Sequence, residues 1–286
     1  MTWEETIKYI RTKPEYAELV EKAYLEERLE LNIERFMASE EWLETLRLLK
    51  HHAPIAKKLL DVGSGNGISA IAFAKSGYQV TVVEPDTSET IGAGAIRILK
   101  DYYRLDNIKI IEAFAENAGL QDSSFDIVYC RQSMHHANNL NEFVENITTY
   151  LKTGGIFLSA RDHVIYNQKD KNWFLQTHPL QQFYGGENAF KASQYRKALH
   201  KAKLDIIKEY KYFENTINYF PTTKEIIEKA QKTRWELIQQ ASKKIPFASS
   251  TLLMPIFKFV YQIKYGVLFD ERLIAGRLYS YLAKKR

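Results

Sequence analysis

Lys58-Leu59-Leu60-Asp61-Val62-Gly63-Ser64-Gly65-Asn66-Gly67-Ile68-Ser69-Ala70 is the stretch that decides the fold of this chain. It begins as a short apolar run, continues with three glycines at alternate positions, and ends in a helical pattern. Glycine adopts the backbone angles of a tight turn and lets a ligand approach the main chain closely. The free amides at the helix start face the space above the strand. The stretch therefore predicts a ligand cradle at the carboxyl end of a first strand.

Strand and helix patterns alternate on both sides of this turn. The predicted strands cover residues 59–62, 79–83, 108–111, 126–130, 156–160, 206–213 and 277–283. The predicted helices between them cover residues 66–75, 88–102, 139–151 and 191–202. This alternation is typical of an α/β fold with a doubly wound, parallel sheet.

The spacing of the glycines separates the ligand classes that such a turn can serve. A dinucleotide fingerprint has the spacing G-x-G-x-x-G, and Ile68 stands where its third small residue belongs. A phosphate loop ends in Gly-Lys-Ser/Thr, which does not follow here. Led by Asp61, residues 61–67 instead resemble the first motif of the class I S-adenosylmethionine-dependent methyltransferases.

Two later stretches extend the resemblance. Glu84-Pro85 ends the second strand about twenty residues past the turn, where an acid accepts hydrogen bonds from ribose hydroxyls. Residues 115–126, AENAGLQDSSFD, resemble the A-E-x-L-P-F-x-D-x-S-F-D stretch of the type 11 subgroup, whose loop wraps the adenine. Phe114 replaces the Asp and Gly119 the Pro that many relatives carry. On these three motifs the chain is identified as a member of the type 11 subgroup.

The resemblance implies the cofactor S-adenosyl-L-methionine, with S-adenosyl-L-homocysteine as product. Arg131 and Gln132 open the stretch RQSMHH after the fourth strand, which resembles the subgroup's strand end x-x-x-x-L-H-H and faces the methionine part of the cofactor. The implied cofactor-binding residues are Asp61, Gly63, Ser64, Gly65, Gly67, Glu84, Pro85, Ala115, Glu116, Arg131 and Gln132.

Polar residues after the fourth and fifth strands should meet on the acceptor side of the same cleft, since parallel strands share one carboxyl edge. A hydroxyl acceptor has a high pKa and benefits from a histidine base near neutral pH. The candidate bases are His136, His163 and His178. The candidate acceptor-binding residues are Arg161, which suits a carboxylate, and Tyr184, Glu187 and Asn188. The histidines show no metal-ligand spacing, so no metal is predicted.

The resemblance also suggests how the chain divides. Residues 1–52 follow helical patterns and form a leader, which in this family packs over the cleft. Residues 53–213 form the cofactor-binding core, in which 161–190 are a loop-like acceptor segment. The last two strands of the family pair antiparallel, which implies a mostly parallel, seven-stranded, Rossmann-like sheet. Residues 214–275 then form a helical insertion with breaks near Pro246 and Pro255, and residues 276–286 supply the last strand.

Charge is unevenly distributed. The net charge is +5, but residues 196–286 hold 19 Lys and Arg against 8 Asp and Glu. This excess indicates either a solvated basic face or a surface that meets an anionic acceptor or membrane headgroups. A single cysteine, an acidic amino terminus and interrupted apolar segments favour a cytoplasmic protein, with peripheral membrane contact left open. Nothing indicates an oligomeric state.

These patterns lead to a methyltransferase acting on a hydroxyl of a small-molecule or glycan acceptor, with histidine as base. One alternative is a lipid or quinone-type acceptor at a membrane surface. Another is an NAD(P)-dependent oxidoreductase, against which Ile68 argues, and a last one is a non-catalytic cofactor-binding protein. Nucleic acid is not expected as a partner, because the N/D-P-P-Y/F motif of base-amino methylases does not follow the fourth strand.

Overall fold

A computed structural model describes residues 1–245, 250 and 252–286. Eight strands form one sheet: Lys58–Val62 (β1), Gln79–Val83 (β2), Ile108–Ile111 (β3), Phe125–Arg131 (β4), Leu151–Ile165 (β5), Phe190–Lys191 (β6), Leu204–Tyr210 (β7) and Arg277–Lys285 (β8). Their order is β3-β2-β1-β4-β5-β8-β7, with β6 paired to β5. Strands β1 to β5 run parallel, while β8 is antiparallel to both β5 and β7. The predicted doubly wound, mostly parallel sheet is confirmed, and the two-residue β6 adds to the seven predicted strands.

The described residues form helices before, between and after the strands. The leader contains Trp3–Arg11 (α1), Ala17–Lys22 (α2), Leu29–Ala38 (α3) and Glu40–His52 (α4). The core contains Ile68–Lys75 (α5), Ala93–Tyr102 (α6), Leu140–Thr149 (α7), Gln168–Thr177 (α8), Gln181–Tyr184 (α9) and Ala192–Lys201 (α10). The insertion contains Lys224–Lys243 (α11) and Met254–Tyr265 (α12). None of these helices combines the length and the apolar content that crossing a bilayer needs.

Alternate residues of the central strands point to opposite faces of the sheet, and each face builds its own core. Leu59 and Ile127 join α5 and the leader helices α3 and α4 on one face. Leu60 and Val128 join α7 and α10 on the other. All four side chains are fully buried, which explains why these strands are continuous apolar runs. Two covered faces leave the carboxyl edge of the sheet as the place where polar side chains collect.

The leader lies against this carboxyl edge. The Asn66 side chain in the glycine turn donates a 2.6 Å hydrogen bond to the carbonyl of Tyr24. Ile7 and Ile10 are fully buried in a cluster that includes Leu180 of the acceptor segment. Apolar packing and a buried hydrogen bond thus fix the leader against both halves of the edge.

The acceptor segment corrects one prediction, because residues 161–190 are not mainly loop. Strand β5 continues to Ile165, since β8 pairs along it as far as Arg277 opposite Val164. Helix α8 follows, with the Asn167 side chain accepting from the Asp170 amide as its N-cap. The polar sequence conceals this helix because it buries one face only, through Phe174.

The insertion is helical in α11 and α12, while residues 214–223 and 266–275 are mostly turns. Pro255 does not break a helix but lies in the first turn of α12, where its missing N–H has no intrahelical partner to lose. The break predicted at Pro246 falls outside the described residues. Strand β7 ends at Tyr210 rather than Phe213, and α6 begins at Ala93 rather than residue 88.

Candidate functional site

A cleft of about 590 Å³ opens over the carboxyl ends of the central strands. It extends from the ends of β1 and β2 to those of β4 and β5, and the leader covers part of it through Trp3 and Leu25. The predicted residues that line it are Gly63, Ser64, Gly65, Glu84, Pro85, Ala115, Glu116, Arg131, Gln132, His136, His163, His178, Tyr184 and Glu187. The chain therefore brings most of its predicted cofactor and acceptor residues into one cavity.

Asp61 fixes the glycine turn by accepting hydrogen bonds from two serine hydroxyls. One oxygen of this buried carboxylate accepts from the Ser64 hydroxyl at 2.7 Å and from the Ser69 hydroxyl at 2.6 Å. Burial raises the pKa of Asp61 to about 6, although both hydroxyls favour the ionised form. Gly67 has a φ of +82°, and a Cβ there would lie 2.7 Å from a side-chain carbon of Ile96. Asp61 and Gly67, both predicted to bind the cofactor, shape the turn and are not among the residues that line the cleft.

Glu84 stands at the opening between β1 and β2. Its Oε2 accepts a 2.7 Å hydrogen bond from the Gly65 amide, and its Oε1 accepts one of 3.0 Å from the Asp86 amide. A carboxylate has about four lone-pair sites, so two bonds leave acceptor capacity on the cleft side. Burial raises the pKa of Glu84 to about 7, with smaller contributions from the charges of Asp86 and Asp61. The site thus presents a desolvated carboxylate at the end expected to bind ribose.

A buried ion cluster supports the floor of the cleft. Arg131 donates to both carboxylate oxygens of Glu41 in the leader, at 2.6 and 3.1 Å. Burial opposes ionisation of Glu41, but Arg131 and Arg161 outweigh it and lower the pKa of that carboxyl. The Arg131 guanidinium is therefore bound to the leader.

Arg161 does not line the cleft. Its guanidinium donates to the carbonyls of Ile217, Asn218 and Phe220 and lies 3.5 Å from Glu41. The structure does not support the predicted role as a carboxylate clamp, since Arg161 is buried, lies outside the cleft and uses both terminal nitrogens for these bonds. Asn188 also lies outside the cleft, with its side-chain oxygen accepting from Lys171 at 2.5 Å.

Four histidines gather at the opposite end of the cleft from Glu84. The ring centroids of His135 and His136 are 4.1 Å apart, those of His135 and His163 are 4.7 Å apart, and those of His163 and His178 are 5.8 Å apart. Burial lowers the pKa of His135 and His163 well below the ordinary value, and their histidine neighbours add to this. Burial also lowers the pKa of His178. The imidazoles of His135, His163 and His178 are therefore neutral near pH 7.

Hydrogen bonds fix the orientation of these rings. His135 Nδ1 lies 3.0 Å from a carboxylate oxygen of Asp162, and His163 Nδ1 lies 2.6 Å from the carbonyl of Gly276. His136 Nδ1 lies 3.2 Å from the carbonyl of Gly186. Carbonyl oxygens only accept, which assigns the hydrogen of His136 and His163 to Nδ1. The Asp162 oxygen that faces His135 Nδ1 also accepts from the His135 amide, so the geometry assigns the hydrogen to Nδ1 there too and leaves the lone pair on Nε2.

Glu187 lies among the histidines with a side chain only 6% exposed. Its Oε1 accepts from the Tyr184 hydroxyl and lies 3.8 Å from His178 Nδ1. Its Oε2 is buried without a hydrogen-bond partner among the described residues and lies 3.8 Å from His135 Nε2. The acceptor end thus holds a carboxylate that is largely removed from water.

Sequence reasoning missed several lining residues. They are Ser133, His135, Phe114, Asn66 and the leader residues Trp3 and Leu19. The sequence could have revealed His135, because this residue belongs to the same RQSMHH stretch as the predicted His136. Nothing local in the sequence marks the leader residues, since tertiary packing alone brings them to the cleft.

A family model described as "Methyltransferase domain" matches residues 60–159. The ubiquinone biosynthesis O-methyltransferase of Rickettsia typhi is 29% identical over 115 residues, which cover 40% of this chain and 44% of the relative. That of Idiomarina loihiensis is 33% identical over 121 residues, covering 42% and 46%. The chain thus matches these curated relatives over less than half of their length.

Solved structures share the fold over more of the chain. The YcgJ protein of Bacillus subtilis aligns with a TM-score of 0.51 and 18% identity, covering 84% of this chain and 97% of its own. A geranyl diphosphate C-methyltransferase from Streptomyces coelicolor aligns with a TM-score of 0.56 and 15% identity, covering 93% and 88%. At such identities the likeness establishes the fold.

Proposed function

Residues 60–159 belong to the class I S-adenosylmethionine-dependent methyltransferases of the type 11 subgroup, and from this premise we propose that the protein transfers a methyl group from S-adenosyl-L-methionine to an acceptor hydroxyl. The observation that carries the proposal is one cleft with two chemically different ends. Glu84 and the glycine turn form one end, and four histidines form the other. This is the arrangement that an in-line transfer between a nucleoside and a second substrate requires.

The first end fits a nucleoside. Gly63 and Gly65 present only backbone to the cleft, the Ser64 hydroxyl between them is bonded to Asp61, and the Glu84 carboxylate keeps acceptor capacity for two ribose hydroxyls. Ala115 and Glu116 line the cleft beside it, where the adenine would lie, and Gln132 lines the boundary with the histidine end. The cofactor, when bound, supplies the activated methyl group.

His136 is the proposed general base. Its ring lines the cleft, its Nδ1–H is held by the Gly186 carbonyl, and its Nε2 lone pair is free. A hydroxyl placed against that lone pair gives its proton to Nε2 as the new O–C bond forms. His163 and His178, the other candidate bases, are more buried than His136 and pack against one another.

The walls of the histidine end favour a partly apolar acceptor. Trp3 and Tyr184 lie with ring centroids 4.6 Å apart, and Leu180 and Leu19 line the same cavity. Such walls suit an aromatic or apolar small molecule that carries a hydroxyl better than a glycan, whose many hydroxyls would need more polar partners. Relatives named as ubiquinone biosynthesis O-methyltransferases support a hydroxyl as the methylated group.

Calorimetric titration tests the cofactor half of the proposal. We expect S-adenosyl-L-homocysteine to bind one site per chain and to raise the melting temperature, because a ligand that binds the native state stabilises it. NAD⁺ and NADP⁺ should give neither effect. Binding of a nicotinamide nucleotide without binding of S-adenosyl-L-homocysteine would instead support an oxidoreductase.

A second candidate function is methylation of a lipid or quinone-type acceptor at a membrane surface. Helix α12 exposes Ile256, Phe259 and Ile263, each more than 60% accessible, and also carries Lys258 and Lys264. An amphipathic surface of this kind can insert apolar side chains among anionic headgroups. Flotation with anionic vesicles tests it: the protein should rise with the vesicles, and Phe259→Asp should leave it at the bottom. Equal flotation of both proteins, or of neither, would exclude this role of α12.

A further inference from the structure

We propose that His135, His163 and Glu187 bind one divalent transition-metal ion of the Zn²⁺ type at the acceptor end of the cleft. Each residue offers one ligand atom, and these atoms all lie within 4.8 Å of one another. The three residues come from separate parts of the chain, from the turn after β4, from β5 and from the loop after α9. This separation explains why no ligand spacing is visible in the sequence and why none was predicted.

The orientation of the His135 and His163 imidazoles favours metal binding. Histidines that bind metal usually donate their second ring N–H to a carboxylate or a backbone carbonyl, which fixes the ring and its tautomer. His135 makes such a bond to Asp162 at 3.0 Å, and His163 makes one to the carbonyl of Gly276 at 2.6 Å. Both bonds use Nδ1, so both Nε2 lone pairs remain available as ligands.

The surroundings of the Glu187 carboxylate also favour a bound cation. Its Oε2 is buried, has no hydrogen-bond partner among the described residues, and lies 3.8 Å from His135 Nε2. A buried carboxylate oxygen without a donor or a cation is costly. The Tyr184 hydroxyl donates to the other oxygen and thereby orients Oε2. A cation between Oε2 and the two imidazoles would compensate its charge.

Distances agree with an ion of this size. Ligand atoms at about 2.1 Å from Zn²⁺ stand about 3.4 Å apart in a tetrahedron. The 3.8 Å between His135 Nε2 and Glu187 Oε2 is close to that value, and no two of the three ligand atoms are more than 4.8 Å apart.

The donor set points to the class of ion. Two imidazole nitrogens and one carboxylate oxygen suit Zn²⁺ and neighbouring transition ions, whereas Mg²⁺ and Ca²⁺ prefer oxygen ligands alone. Three protein ligands leave a coordination position open, which is typical of catalytic rather than structural zinc. His178 is not one of the three ligand residues; its Nδ1 is buried without a hydrogen-bond partner among the described residues and lies 3.8 Å from Oε1, the other carboxylate oxygen of Glu187.

A role for the ion rests on the proposed function. The acceptor hydroxyl would take the open coordination position of the ion, which would lower the pKa of that hydroxyl. The hydroxyl proton would pass to His136 Nε2, and the oxygen would take the methyl group while the sulfonium sulfur keeps the electron pair of the broken bond. The metal site itself depends only on the residues named above.

The test uses tag-free, full-length protein freed of metal by a chelator and titrated with Zn²⁺ alone. We expect one equivalent to bind to the wild type, and Glu187→Gln and His163→Ala to lose at least about tenfold in affinity, the loss that even a partner outside the ligand set produces. His200→Ala is the matched control, because His200 is exposed on α10. Co²⁺ should give a ligand-field spectrum in the wild type that disappears in Glu187→Gln.

Two results would overturn the site: no Zn²⁺ uptake by the wild type, or equal uptake by Glu187→Gln and the wild type. Circular dichroism and titration with S-adenosyl-L-homocysteine verify that each variant is folded. The same titration separates the two proposals. In the wild type, nucleoside binding without Zn²⁺ binding contradicts the metal site only, and Zn²⁺ binding without nucleoside binding contradicts the proposed function only.

Discussion

Replacing Glu84 with Gln tests the nucleoside end of the cleft, because the change keeps the shape of the side chain and removes its charge. Both carboxylate oxygens accept from backbone amides, those of Gly65 and Asp86. A glutamine must turn its NH₂ group towards one of these donors, which leaves a buried N–H without an acceptor and costs about 1–3 kcal/mol. It also weakens the hydrogen bonds to the ribose, worth about 1.5–3 kcal/mol each when the acceptor is charged.

We therefore expect Glu84→Gln to weaken S-adenosyl-L-homocysteine binding by about 3 kcal/mol, or about a hundredfold in Kd. Glu89→Gln is the control, because Glu89 is exposed and does not line the cleft. Isothermal titration calorimetry at pH 8 measures both. A Kd within about twofold of the wild type for Glu84→Gln would refute the assignment of Glu84 to the ribose.

The pH dependence of S-adenosyl-L-homocysteine binding tests the role of Glu84 independently. The pKa of Glu84 is raised to about 7 from its ordinary 4.5, so the binding-competent carboxylate forms only as the pH passes 7. Wild-type affinity should rise from pH 6 to pH 8, while that of Glu84→Gln should stay flat. The stability of the fold changes in the opposite direction. The folded state holds the Glu84 proton more tightly than the unfolded state, so the free energy of unfolding falls as the pH rises from about 4.5 to about 7. Equal pH profiles for both proteins would contradict this reasoning.

Three further predictions concern the turn, the ion cluster and the base. Gly67→Ala should destabilise the fold by about 2 kcal/mol in urea denaturation, because φ is +82° and Ile96 blocks the Cβ; Gly77→Ala, with open space around it, should cost less. Glu41→Ala should cost about 3–5 kcal/mol in the same assay, because it leaves two buried guanidinium groups without their carboxylate. His136→Gln should lower kcat by about 10²- to 10⁴-fold in a methyl-transfer assay without changing the Kd for S-adenosyl-L-homocysteine.

Each of these predictions has a contrary outcome. Equal stability of the Gly67 and Gly77 variants would mean that contact with Ile96 is relieved at no cost. A loss under about 1 kcal/mol for Glu41→Ala is the value of an exposed ion pair and would contradict its burial. An unchanged kcat for His136→Gln would assign the proton transfer to another group.

The fold could be predicted because its signals are local. The strands 79–83 and 108–111 agree with the structure to the residue, since both are short runs rich in β-branched residues and bounded by turn residues. The helix α8 was missed because its sequence is polar and only Phe174 is buried. The extension of β5 was missed because its length depends on pairing with β8, more than a hundred residues later in the chain.

The two ends of the cleft also differ in how well the sequence predicts them. The nucleoside end follows from contiguous motifs, so Gly63, Gly65 and Glu84 lie in the cleft as predicted. The acceptor end depends on packing between distant elements. Residues 161–163 show this: a register shift in the pairing of β5 with β8 lies between Ser159 and Asp162, and there Arg161 turns to the insertion while His163 lines the cleft. A sequence pattern does not reveal which of these neighbouring side chains reaches the cavity.

Transfer of a labelled methyl group tests the central claim most directly. The protein is incubated with S-adenosyl-L-methionine labelled at the methyl group and a panel of hydroxyl-bearing aromatic and apolar small molecules, and the products are analysed by mass spectrometry. We predict a labelled product carrying the methyl group on oxygen, and its formation should depend on His136. Binding of S-adenosyl-L-homocysteine with no labelled product from any acceptor would contradict it and indicate a cofactor-binding protein without methyltransferase activity.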